Sequence, residues 1–126
     1  ERVDRALAEV PSHLRVLRPG YLRFVDLPGF LGGALVVAYP SHGEGFGLPV
    51  LEAMASGVPV VAADEPALHE VAADAAVYSD ADLAAAIRTG LAERDRLVAA
   101  GLERAKAFSW EATARRTLEV YSEALA

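Results

Sequence analysis

Residues 41–63 read SHGEGFGLPVLEAMASGVPVVAA, and the organisation of the whole chain can be worked outward from them. Glycines stand at Gly43, Gly45 and Gly47; Leu48-Pro49 then suits the first turn of a helix, where the missing proline N–H costs nothing. Apolar Leu48, Leu51, Met54 and Ala55 keep helical spacing, and Gly57 is a C-terminal stop. Val58-Pro59-Val60-Val61 reads as a short, β-branched, buried parallel strand. With a further strand over residues 34–39, the unit is strand, glycine loop, helix, strand. Two carboxylates sit inside it, Glu44 in the loop and Glu52 one turn into the helix. Glu52 is the only ionisable side chain between Gly45 and Ala63, which marks it on an otherwise apolar helix.

A helix N-terminus offers free N–H groups and the positive end of the dipole, and glycines let an anion approach closely. A carboxylate one turn further on lies at the rim of such a site, where it can accept hydrogen bonds from a vicinal diol such as a ribose. Glu44, ahead of the helix, faces whatever the phosphate carries on its other side. The constellation suits a nucleotide joined through phosphate to a hydroxylated group.

Glu44-Gly-Phe-Gly-Leu-Pro-Val-Leu-Glu52 resembles the E-x7-E motif of the retaining family-4 (group 1) glycosyltransferases with the GT-B fold, and the wider string PSHGEGFGLPVLEAMASGVPVVAAD is similar almost position by position. The resemblance implies that Glu44 contacts the transferred sugar. It likewise implies that the backbone of Gly45, Phe46, Gly47 and Leu48 contacts sugar and phosphate, and that Glu52 holds the ribose. Gly43 departs from the pattern, since many members carry an aromatic residue there. His42 borders the loop, either as a phosphate or sugar contact or as an exposed loop histidine.

At 126 residues the chain is one domain, small for a nucleotide-handling enzyme. A net charge of -6, with no basic patch among aromatics, argues against nucleic acid as a partner. The lack of cysteine excludes a disulfide framework or thiolate metal site and fits a cytoplasmic protein. Three scattered histidines do not make a metal site, so no metal and no cofactor are expected. Pro49, Glu52, Gly57 and Pro59 break the longest apolar run, so it is not a spanning helix.

Ahead of the central unit, residues 1–10 have the pattern of a surface helix, 13–18 that of a strand, and Pro19-Gly20 that of a turn. Asp26 is placed to cap a short helix running to about Gly32. After the unit come a helix over 67–72, a strand over 75–78, and helices over 82–92 and 91–107 with a break near Gly101. Ser109 caps a last helix ending near Leu125. Trp110 and Phe108 read as packing residues. The resemblance runs from Gly20-Tyr21 through Pro40-Ser41 and ends at Phe108-Ser109-Trp110.

The fold class is therefore α/β, a doubly wound parallel sheet, Rossmann-like, similar to the C-terminal half of a GT-B enzyme and missing its first strand and helix. On this reading residues 1–126 are an incomplete C-terminal nucleotide-sugar-binding domain, with the acceptor-binding N-terminal domain absent. The family's diphosphate-gripping arginine and lysine have no counterpart: no Arg or Lys lies between Arg23 and Arg88, and Lys106 is the only lysine. The parent is then a hexosyltransferase using a nucleotide diphosphate sugar and a sugar, lipid or small-molecule acceptor, peripheral to a membrane. The chain alone is expected to be inactive and to self-associate through an unpaired sheet edge. The surroundings of His69 are similar to mannosyltransferases, which points to GDP-mannose; a UDP-sugar is the other donor. A glycosidase with Glu44 and Glu52 as acid and base, and a non-catalytic flavodoxin-like or nucleotide-binding module, are the competing readings.

Overall fold

A computed structural model describes residues 2–126. Three short parallel strands form the centre: β1 (Val37–Tyr39), β2 (Val60–Ala62) and β3 (Ala76–Tyr78), in that spatial order. Val37 is in register with Val60, and Val60 in turn with Ala76. β2, in the middle, is buried along its whole length, which is why it is purely small and β-branched. Crossover helices connect the strands: α3 (Leu48–Ala55) between β1 and β2, and α4 (Pro66–Ala72) between β2 and β3. Alternation along β2 assigns the two faces. Val60 and Ala62 join Val50, Ala53, Met54, Leu68 and Val71 in the main core. Val61 faces the other way, onto Gly90 of α5 (Leu83–Ala92). The sheet is thus wound with helices on both faces, a Rossmann-like α/β fold.

Both the loop-to-helix junction and the helix stop expected at Gly57 are present, the latter with φ +71. The buried stripe of α3 differs from the expected one. Val50, Ala53 and Met54 are buried, whereas Leu48 and Ala55 are exposed and Leu51 is half-buried. Both stripes keep helical spacing; the packing of α6 (Arg94–Ala105) onto α3 selects between them.

Gly101 does not break a helix. It lies buried within α6, where a Cβ would sit 3.2 Å from Met54 Cγ, so glycine permits the close approach of α6 to α3. The break falls at Glu93, between α5 and α6. Ser109 caps α7 (Trp110–Ala124) as expected, accepting from Ala112 N, and Asp82, read as the first residue of its helix, caps α5 instead, accepting from Ala85 N.

The ends of the chain depart further. α1 spans Arg2–Ala8; residue 1 of the expected helix lies outside the described residues. Residues 13–18 form no strand, and Leu14, Val16 and Leu17 are exposed. A strand needs a neighbour's hydrogen-bond ladder, and among the described residues β1 pairs only with β2. Asp26 precedes α2 (Leu27–Gly32) without capping it, because its carboxylate is taken by Arg23 at 2.6 and 3.0 Å. Trp110 packs on nothing that buries it; it is 83% exposed. No helix among the described residues is long and apolar enough to cross a membrane.

Candidate functional site

In a parallel sheet the loops after the strands collect at one edge, where ligands of such folds bind. Here β1 runs into residues 40–47, β2 into Asp64-Glu65, and β3 into Ser79-Asp80. The glycine loop lies between β1 and α3. Gly47, the residue before α3, has φ +94, and a Cβ there would overlap Cδ2 of Leu68 on α4. A side chain at this position is opposed by both the backbone and the core. Gly43 has φ +79 with open space around it, so an aromatic residue here would fit sterically but strain the backbone.

Between these glycines the backbone is unpaired. The N–H groups from Gly43 through Leu48 donate to no acceptor among the described residues, and Pro49 has no N–H to offer. Successive free amides that end at a helix N-terminus form a concavity for an anion.

Glu44 stands at the start of this run, half-buried. Its Oε1 accepts from the Tyr39 hydroxyl at 2.7 Å and from the Ser41 hydroxyl. These two bonds, Ser41's foremost and Tyr39's next, hold the Glu44 carboxyl below the ordinary glutamate range. The same contact, reinforced by burial, raises Tyr39 above its usual value. Glu44 is therefore held as a hydrogen-bond acceptor and is poorly suited to be the proton donor of an acid–base glycosidase.

Glu52 has different surroundings. It is half-buried on α3 and lines a cavity of about 230 Å³ together with Phe24, Leu27, Pro28, Leu31, Ala55 and Ser56. Its carboxylate takes no hydrogen bond from the described residues; only its backbone carbonyl is used, by Ser56 Oγ at 2.8 Å. An apolar slot with one carboxylate at its side can cover a flat ring and leave hydroxyls to the acid.

The remaining expected residues divide. Phe46 turns to the body of the protein, edge-on to Phe108 with ring centroids 5.8 Å apart. The ring stays exposed on its other side, and its backbone N–H is free for a ligand. Leu48 is exposed at the helix start, and Gly45 is exposed in the loop. His42 reaches Glu65 through Nδ1 at 3.2 Å, tying the loop to the start of α4. His69 lies with Nε2 2.6 Å from Asp64 and stacks on Tyr78 at 3.7 Å between centroids. Among the described residues no group of three or more His, Asp or Glu could hold a metal ion. Arg104 lies over the Phe108 ring, with its Nε donating to the carbonyl of Val71 (2.8 Å) and its Nη2 to that of Glu70 (2.6 Å).

Sequence reading missed Tyr39, Ser41 and the α2 side of the cavity. Ser41, three residues before Glu44, was within reach of a local-hydrogen-bond reading; the cavity was not, because α2 is more than twenty residues from Glu52.

A family model described as "Glycosyl transferases group 1" matches residues 2–93. The chain is 38% identical over 120 residues to an Escherichia coli protein named O-antigen chain mannosyltransferase B, covering 85% of this chain and 32% of that protein. It is 44% identical over 140 residues to a D-inositol 3-phosphate glycosyltransferase of Nocardioides sp., covering 96% and 31%. A protein of the same name from Nocardia farcinica is 44% identical over 99 residues, covering 71% and 22%. The chain thus spans about a third or less of the length of these relatives.

Proposed function

The chain belongs to the group 1 glycosyl transferases, and on that premise we propose that it binds the donor of a sugar transfer, a nucleotide diphosphate sugar. The observation that carries this reading is the run of unpaired amides from Gly43 to Leu48, with the Glu44 carboxylate near its start and that of Glu52 one turn beyond its end. The diphosphate lies on these amides and the N-terminus of α3, each dipole contribution being worth roughly 0.3–1 kcal/mol. Glu52 accepts from the ribose diol, and the base occupies the slot between α2 and α3. Glu44, kept ionised, accepts from hydroxyls of the transferred hexose and favours the positive charge that grows at the anomeric carbon. Transfer proceeds with retention, and Glu44 is not required as a nucleophile.

Two features support reading the chain as the donor half alone. It spans about a third of the matched relatives, and it has no Arg or Lys between Arg23 and Arg88. The phosphate-binding cations and the acceptor surface are then supplied outside this segment, and the segment by itself does not turn over. The acceptor is a sugar, a lipid or a small molecule, and the parent works in the cytoplasm, peripheral to a membrane. The name of the Escherichia coli relative favours a mannosyl donor, GDP-mannose, with a UDP-sugar next.

The test is an amide NMR titration of this chain with GDP and with UDP. Progressive shifts at Gly43 to Leu48 and at Glu52 are expected. Shifts confined to other surfaces would remove the donor site from this loop.

A further inference from the structure

The two oxygens of Glu44 are not equivalent. Oε1 accepts from both Tyr39 Oη, at 2.7 Å, and Ser41 Oγ. Oε2 takes no hydrogen bond from the described residues. The donors and the acceptor also differ in how firmly they are held. Tyr39 is the last residue of β1, in register with Ala62 of the buried central strand, and its side chain packs against the main core. Its hydroxyl is therefore delivered from a side chain anchored on the packed core. Ser41 follows Pro40, whose ring restricts the backbone between the two donors. Glu44 itself lies between Gly43 and Gly45, in a loop whose amides make no backbone hydrogen bond. A carboxylate on such a loop has several rotamers open to it unless something outside the loop selects one.

We propose that Tyr39 and Ser41 are positioning residues that hold Glu44 in a single rotamer, saturating Oε1 so that Oε2 alone is presented to the sugar. This rests on the reading of Glu44 as the carboxylate that meets the transferred sugar. Both donors are hydroxyls and the acceptor is an ionised carboxylate, so the bonds are charge-assisted and stronger than neutral ones. Protonating Glu44 would weaken both, and the lowered carboxyl pKa is the expected companion of the geometry. The device sets a division of labour: the strand supplies rigidity, the loop supplies access, and the two hydroxyls join them.

The experiment has two readouts. In this chain, the Glu44 carboxyl is titrated by carbon-detected NMR in the wild type, Tyr39→Phe, Ser41→Ala and Ser41→Thr. The first two substitutions should move the midpoint up toward the ordinary glutamate range, and Ser41→Thr, which keeps the hydroxyl, should leave it near wild type. In a full-length transferase carrying this segment, Tyr39→Phe and Ser41→Ala should each lower kcat about five- to tenfold, the worth of one hydrogen bond. Donor KM should stay unchanged, and the acid limb of the pH profile should move upward with the carboxyl midpoint. Ser41→Thr should restore most of kcat. A Glu44 titration unmoved by Tyr39→Phe and Ser41→Ala, with Glu44→Ala inactive, overturns the positioning role and leaves the sugar reading of Glu44 standing. A midpoint that moves while Glu44→Ala transfers sugar normally overturns the sugar reading, and the role in transfer goes with it.

Discussion

The middle of this chain and its two ends obey different physics. From β1 to β3 the residues are packed: Val50, Ala53, Val60, Val61, Ala62 and Leu68 are fully buried, and the candidate site is built on their edge. Residues 3–26 and α7 contribute no buried residue at all. α7 is fifteen residues long and well capped by Ser109, yet Leu118, Val120 and Tyr121 along it and Leu125 just beyond it stand exposed. Local signals are therefore enough to write a helix, but burial is what makes a segment matter to stability and to the site. The loop of residues 41–47 draws on the middle, since its shape depends on Leu68 beneath Gly47 and on Tyr39 beside Glu44.

If that contrast is right, the largest effect comes from the site itself. In the full-length transferase, Glu44→Ala should lower kcat by about 10²–10³-fold, as loss of one placed charge-stabilising group does, while nucleoside diphosphate binding stays largely intact. Normal turnover by the variant would show that the chemistry has been put in the wrong place. Next comes the core against the end helix. Leu68→Ala should destabilise this chain by about 2–5 kcal/mol, and Leu118→Ala by less than about 0.5 kcal/mol, measured by denaturant unfolding. Comparable losses at both positions would erase the distinction between middle and ends.

Smaller effects sharpen it. Glu52→Gln should weaken binding of a ribonucleotide donor by about 1.5–3 kcal/mol in calorimetry, with a deoxyribose analogue affected much less. Equal weakening of the two would take Glu52 away from the ribose. The exposed apolar residues of the ends, together with the outer edge of β1, should make the isolated chain associate with itself. Sedimentation should show mass rising with concentration, and Leu118→Glu with Tyr121→Glu should reduce it; a sharp monomer at all concentrations would count against the idea.

The smallest effect is on alkaline stability. Burial, and then the charge of Asp74, pushes the Tyr78 hydroxyl up to about 12, while that hydroxyl donates to the Ala73 carbonyl at 2.7 Å. A raised folded-state value means that the proton is held more tightly in the folded protein than in the unfolded one. The associated stability is present below about pH 10 and is lost as pH rises toward 12. Tyr78→Phe should flatten this limb in a series of thermal melts. An unchanged limb would assign the alkaline loss to other groups.

Much of the site was legible because its signals are local. Gly47 before Leu48-Pro49, and Glu44 and Glu52 with their spacing, can be read without knowing what packs on them. The clamp on Glu44 was half-legible, since Ser41 is only three residues away but Tyr39 acts through the strand that holds it. The slot beside Glu52 was not legible, because Phe24 and Leu31 reach it only through the packing of α2 on α3.

The sequence by itself determined the strand, glycine loop, helix, strand unit, the stop at Gly57 and the cap at Ser109. Each follows from backbone sterics or from hydrogen bonds that span a few residues, and those do not depend on the rest of the molecule. Tertiary structure alone decided which stripe of α3 is buried, that Gly101 serves helix packing instead of ending a helix, and that Phe46 turns to Phe108. It also decided that residues 13–18, apolar at alternate positions, form no strand. These outcomes depend on what another segment brings into contact, and burial and strand pairing are properties of two partners that neither stretch can specify alone.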